Sequence, residues 1–320
     1  MFNTSLSGLR LEASGLLALA DLRTIAYRTA LTGSASFLDI LFLAPGIHCQ
    51  QAASEVHGGE YPTIGAMTTG YVFRVENEAT VNYLQRVGEP GHLATVDVAG
   101  PKDAISGGGL FSKDTLASIC YLCGIALTIA VVALLRVIGD WWALGVVGML
   151  MLARSLNVLV IKQRSRLGWK GIPEPGVRGD LLVLLSQDRW VRIRGLVDDI
   201  KVVTSGQWLR EETTMESFCV SFATLLVYSS AALAGNASTV GNLLIACLLL
   251  ISVALLGACN ALTSRLRMFG RTISLEGKPK PYTRRLDMVE ELITASGRDD
   301  WAIAMGLIVP PKEKAQKVTP

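Results

Sequence analysis

The chain has 320 residues, half of them hydrophobic and only 18% charged, with 30 Lys/Arg against 27 Asp/Glu. A soluble globular chain carries about 25% charged residues, so the deficit points to a membrane protein. A net charge of +3 gives no basic field for nucleic acid, and six scattered Cys do not make a disulfide scaffold.

Residues 1–29 hold one short apolar stretch at 14–20, with Glu12 just before it. That pattern makes a poor signal peptide. Asn3-Thr4-Ser5 matches the glycosylation acceptor pattern, as does Asn236-Ala237-Ser238 later in the chain. Residues 30–47 are apolar enough to be a first span or a re-entrant segment, but Asp39 lies near their centre and Pro45-Gly46 near their end. An acid at the bilayer centre costs about 2.5–3.5 kcal/mol. Residues 48–114 read as a polar loop with four Lys/Arg and eight Asp/Glu. Gly and Pro break it repeatedly, Gly107-Gly108-Gly109 reads as a hinge, and short strands are expected at 71–75 and 93–98.

Four spans follow in two hairpins, each long enough to cross a bilayer as a helix. Residues 115–135 carry no charge, and 141–161 carry only Arg154. From 217 to 264 there is no Asp, Glu, Lys or Arg, and a Gly/Asn/Ser-rich middle splits that run into 217–234 and 242–263. The hairpins thus occupy 115–161 and 215–264.

Between them, 162–214 predicts a small α+β module. Its expected strands are 181–185 and 190–194, joined by a turn, with a helix at 196–203. Such a module is too small for a large core and needs the tail or the membrane surface to lean on. The tail, 265–320, predicts an amphipathic helix at 284–295 closed by Gly297. A short helix at 301–309 follows, capped by Asp299 or Asp300, and a loose end at 312–320. The fold class expected is an all-α membrane bundle of four spans, with a possible fifth, carrying this α+β module.

Lys and Arg orient the spans. Residues 162–210 carry ten and the chain after 264 carries eleven, whereas the tip at 235–241 carries none. The module and the C-terminal tail are therefore expected in the cytoplasm. A rival topology leaves 141–161 unspanned and puts the acidic loop outside.

Two stretches, Gly179–Glu211 (GDLLVLLSQDRWVRIRGLVDDIKVVTSGQWLRE) and Ser296–Gly306 (SGRDDWAIAMG), resemble multi-pass membrane proteins of filamentous fungi that have no assigned activity. The resemblance covers the C-terminal two thirds. It implies a membrane architecture with the module as part of one unit, and it brings no site residue.

The chemistry-bearing residues are sparse. His48, His57 and His92 share the polar loop, with Cys49 beside the first. They lack the repeated spacing of a zinc site, and solvated side chains explain them more simply than a metal. Cys120 and Cys123 have CxxC spacing inside a span, where Cys usually packs as a small apolar residue. No phosphate loop or catalytic motif occurs, so no catalytic residue, metal or cofactor is expected. Asp198-Asp199 fits an ion-pair network with Arg192, Arg194 and Lys201. Asn157, Asn242, Asn260 and the small pairs Gly145/Gly148, Ala231/Gly235 and Ala254/Ala258 read as glue between helices.

Asp39 and Arg154 are opposite charges at depth. At 1.5 Å per residue they lie about 13 Å and 20 Å from one face, within an Arg side chain's reach, so an intramembrane pair is expected. Trp301 is expected to anchor the tail on the module. The function expected is a non-enzymatic membrane-anchored interaction or organising protein whose basic parts meet anionic lipid or a cytosolic partner. The alternatives are a small transporter or channel subunit, or a membrane-embedded enzyme without a recognisable motif.

Overall fold

The computed structural model describes residues 14–101 and 113–310. The Asn3 acceptor pattern, the hinge at 107–109 and the end at 312–320 lie outside them. The N-terminal region supplies α1 (Ser14–Ala18), α2 (Thr24–Thr32), strands β1 (Thr63–Ala66) and β2 (Val72–Arg74), α3 (Glu78–Val87) and β3 (His92–Ala99). The long helices are α4 (Lys113–Ile138) and α5 (Trp141–Arg164), then α7 (Thr214–Leu233) and α8 (Thr239–Leu262). Between the hairpins lie β4 (Arg178–Leu185), β5 (Arg189–Leu196) and α6 (Val197–Thr204). After them come β6 (Arg265–Met268), β7 (Arg271–Pro281), α9 (Arg285–Ser296) and α10 (Asp300–Ala304).

Among the described residues, four helices are long and apolar enough to cross a membrane. Local chemistry sets their ends. Gly139 adopts φ +79 and stops α4, and Asp140 caps α5 by accepting from the Ala143 N–H at 3.0 Å. The other Asp140 oxygen accepts from the Ser238 N–H at 2.8 Å, which ties the two hairpin tips together. Burial alone would raise the Asp140 carboxyl, but these hydrogen bonds hold it below its ordinary range. Thr213 and Glu216 form a capping box that opens α7.

The helices pair across the hairpins. α5 lies along α7, and α4 along α8, more closely than either lies along its hairpin partner. The wedge between the two pairs is filled by the N-terminal segment. α1 packs on both α7 and α8, with Gly15 against the Ala231 backbone so closely that a Cβ would lie 2.5 Å from its carbonyl oxygen. A single-turn 3-10 helix, Phe37–Leu41, packs on α4 and α5, and a longer one, Ile47–Glu55, packs on α2, α5 and α7.

Residues 30–47 therefore do not form a fifth spanning helix. Gly33 ends α2 in a left-handed conformation, a Ser36/Asp39 capping box starts the 3-10 turn, and Gly46 takes φ +89. The breakers outweigh the modest apolar run. Phe42, Leu43, Ala44 and Ile47 are buried by the bundle itself. The Phe42 ring stacks on Tyr121 at 5.4 Å and occupies the space a side chain at Gly124 would need. Gly124→Leu should displace it and cost about 1–3 kcal/mol from overpacking, read as a lower melting temperature in detergent. Gly145→Leu, at a glycine facing open space, is the control and should leave the midpoint unchanged.

The all-α expectation needs a second correction. The strands form one seven-stranded sheet in the order β2-β1-β4-β5-β3-β7-β6. All neighbours are antiparallel except β3 and β5, which run parallel with Leu93 opposite Trp190 and Val98 opposite Gly195. The module at 162–214 is thus no separate unit: the polar loop supplies three strands and the tail supplies two. Alternation marked β2 and β3 in the loop, but which strands they pair with left no local sign, so the loop read as mostly irregular.

Alternation along the strands gives the sheet two apolar faces. Leu181, Val183, Val191, Ile193, Ala94 and Val96 face a core shared with α2, α3, α6 and the end of α5. Leu182, Trp190 and Leu93 face the other way, onto α9 and α10. The face α9 buries is Met288, Val289 and Leu292, while Leu286 is 46% exposed. Trp208 joins the parts: its Nε1 donates to the Gly33 carbonyl at 2.7 Å and its main-chain N–H donates to Glu78 Oε2 at 2.8 Å. Burial pushes the Glu78 carboxyl above its ordinary range.

Candidate functional site

The most concentrated polar chemistry lies inside the helical bundle, where the N-terminal segment meets α5. Arg154, Asn157 and Arg164 recur at helical spacing, so they share one stripe of α5, and all three are buried. Arg154 is 2% exposed. Its Nη1 donates to Gln50 Oε1 at 2.7 Å and its Nε to the main-chain carbonyl of Asp39 at 3.1 Å. The Asp39 carboxylate is held by other groups. One oxygen accepts from the Ser36 N–H at 2.7 Å and the other from the Tyr121 hydroxyl.

The structure thus brings Asp39 and Arg154 together, but through a carbonyl rather than a carboxylate–guanidinium pair. The 3-10 turn at Asp39 aims its carboxylate back at Ser36 and toward α4, leaving the carbonyl for the guanidinium. Asn157 continues the seam, donating to the Ile47 carbonyl at 3.1 Å and accepting from Gln51 Nε2 at 3.0 Å. Gln51 Oε1 accepts from Arg164 Nη1 at 3.0 Å, and Arg164 pairs with Glu212 at 2.8 Å. From Arg154 to Arg164 the seam follows α5 for about 15 Å.

Backbone that is not helical can stay inside a bundle only when its polar groups find partners. The seam adds to them: Arg154 donates to the Asp39 carbonyl, which also accepts from the Phe42 N–H at 3.1 Å, and Asn157 donates to the Ile47 carbonyl. Gln50, Gln51, Tyr121 and Glu212 were missed from sequence. Only the stripe at 154, 157 and 164 could have signalled that α5 faces polar partners.

The other polar residues fall as follows. Asn260 donates to the Thr24 carbonyl of α2 and Asn242 to the Ala237 carbonyl. Gly145, Gly148, Gly235 and Gly257 face open space, so Gly145/Gly148 and the Gly235 member of its pair give no close helix contact. Cys120 and Cys123 are free thiols, the second exposed. The paired acids at 198–199 do form a network, with partners that only partly match those expected. Asp199 pairs with Arg271 at 2.8 Å, Lys201 with Glu174, and Arg192 with Asp180.

The histidines separate. His57 Nδ1 lies 2.7 Å from the Ser54 carbonyl and His92 Nδ1 lies 2.9 Å from that of Pro90. His48 and Cys49 stand instead beside Asp21. Trp301 is fully buried in one apolar cluster with Leu182, Trp190, Met67 and Met288. Its indole N–H donates to the Arg298 carbonyl at 2.9 Å.

No family model, curated protein or solved structure matches the chain.

Proposed function

We propose that the chain is a multi-pass integral membrane protein that holds a sheet domain against one membrane face. In this reading it acts by presenting a surface, not by catalysis. The observation that carries it is the origin of the strands. They come from before, between and after the two helical hairpins, so all three stretches stand at the same end of the bundle. Two hairpins and one-sided ends require an even number of spans, and the rival topology would pull β3 away from β5 and β7.

Lipid is the partner the helices call for. Only 22–50% of each apolar window is buried within the protein, and the outward residues include Leu122, Ile129, Phe218, Phe222 and Leu250. A belt of that size needs an apolar surrounding. Trp141 and Trp142 are exposed at the tip, where interfacial aromatics belong. Lys and Arg concentrate at the sheet end, and by the charge rule this supports a cytoplasmic side for that end. There Arg28, Arg265 and Arg267 line a cleft with Ser118, Thr263 and one acid, Asp114, which pairs with Arg265 at 3.4 Å and leaves the cleft net positive. Cations in such a place suit anionic headgroups.

Single cysteines at Thr69, Ser186 and Lys278, exposed turns or strands of the three stretches, test the arrangement in a cysteine-free chain. All three should react with an impermeant reagent only after permeabilisation, whereas one at Asn236 should react in intact cells. A split among the first three would end the reading. For the lipid, vesicles containing phosphatidylserine should raise the melting temperature above that in phosphatidylcholine. Arg265→Gln with Arg267→Gln should remove most of that difference.

A transport reading is favoured by one observation, the broken segment at Asp39 with Arg154 beside it, since interrupted helices build transporter sites. Against it, the Arg154 and Asn157 side chains are already bonded to that segment, and Phe42 and Leu43 fill the space between the helix pairs.

A further inference from the structure

We infer that Asp21, His48 and Cys49 form a binding site for a thiophilic metal ion of the zinc kind. This goes beyond the proposed function and does not depend on it. One ligand atom from each of the three lies within 4.8 Å of the others. The Cys49 thiol donates to Asp21 Oδ1 at 2.9 Å. His48 Nδ1 is sealed from solvent and, among the described residues, has no hydrogen-bond partner. A buried imidazole nitrogen without a partner is uncommon and asks for an explanation, and a bound ion supplies one.

Backbone geometry brings the three together. Gly46, at φ +89, lies against the Leu22 carbonyl so tightly that no Cβ would fit. That contact clamps the chain before His48 onto the chain after Asp21. His48 and Cys49 then occupy the first turn of the 3-10 helix Ile47–Glu55, with Tyr228 of α7 behind the imidazole at 6.1 Å between ring centroids. Asp21 is exposed while His48 and Cys49 are half-buried, so an ion can arrive at the carboxylate and be held by nitrogen and sulfur behind it.

The donor set decides the ion. Carboxylate, imidazole and thiolate together are a zinc-type set, whereas calcium and magnesium take oxygen. Metal–ligand bonds of about 2.0–2.3 Å put tetrahedral ligands about 3.5 Å apart, so Cys49 and Asp21 open slightly from 2.9 Å while the wider spacings close by about 1 Å at most. On binding, the Cys49 S–H bond breaks, its electron pair forms the metal–sulfur bond, and the proton leaves to solvent. One proton is released per ion, and three protein ligands leave the fourth position to water.

The whole chain, purified in detergent and stripped with a chelator, is titrated with Co2+ and then Zn2+. The expected result is one equivalent of Co2+ with a thiolate-to-cobalt band and tetrahedral d–d bands, displaced by Zn2+. Cys49→Ser and Cys49→Ala should both lose the thiolate band. Asp21→Asn, at an exposed position, and His48→Gln should each weaken binding by about tenfold or more. The pair Cys120→Ser and Cys123→Ser should keep the band unchanged. The proposal is overturned if wild type shows no band, if the band survives in either Cys49 variant, or if it disappears with Cys120 and Cys123.

Discussion

Arg154→Leu should sharply lower the stability of the folded chain in detergent. The substitution leaves Gln50 Oε1 without a donor and takes from the Asp39 carbonyl one of its two, the other being the Phe42 N–H at 3.1 Å. A buried acceptor left unpaired costs about 1–3 kcal/mol, so a loss of about that size is expected. Calorimetry or a thermal shift measures it. A double-mutant cycle then identifies the partner. Gln50→Leu leaves the guanidinium short of an acceptor, so Arg154→Leu on top of it should cost much less than it does alone, with a coupling above about 1 kcal/mol. Asp39→Asn keeps the main-chain carbonyl and an oxygen for Tyr121 or Ser36, so its coupling to Arg154 should be smaller than that of Gln50. The reverse ranking would restore a direct carboxylate–guanidinium pair.

Trp301→Ala should release the tail and expose the sheet beneath it. Truncating a fully buried Trp costs about 3–5 kcal/mol. The loss spreads because α10 is held to the sheet at several points. Arg298 donates to the Thr68 and Thr69 carbonyls at 3.2 and 3.3 Å, Met305 fills the space over Gly65, and Asp300 sits against Gly70. Limited proteolysis should therefore show new cuts both in 284–309 and in 178–204, since Leu182 and Trp190 share the apolar cluster with Trp301. New cuts confined to the tail would mean that α10 covers the sheet without supporting it.

What could be read from sequence was whatever a short window contains. Uncharged length gave the four long helices, alternation gave strands near 72–74, 92–99 and 189–196, and a short apolar run gave the one near 178–185. The turn between β4 and β5 was legible too, with Gln187 and Asp188 taking the positive φ that polar turn residues tolerate. The sheet as a whole was not legible, because Leu93 opposite Trp190, or Val96 opposite Leu275, is a pairing between distant segments with no local signature. At the site, Arg154 and Asp39 stood out because charges are rare in apolar surroundings. Gln50 and Gln51 did not, since glutamines in a polar stretch look solvated. Only the fold of residues 37–55 into the bundle makes them buried partners.

The origin of the strands also bears on how the protein is made. β3 leaves the ribosome before the first hairpin, β5 between the hairpins and β7 after the second. The β3 strand, interior to the order, therefore gains β5 only after the first hairpin has been made and β7 only after the second. In a bilayer, a hairpin threaded the wrong way would leave β5 or β7 on the opposite side, and the sheet could not close. Closure of the sheet would then depend on both hairpins being threaded the same way, and a mis-threaded chain would keep strand edges of β3 unpaired.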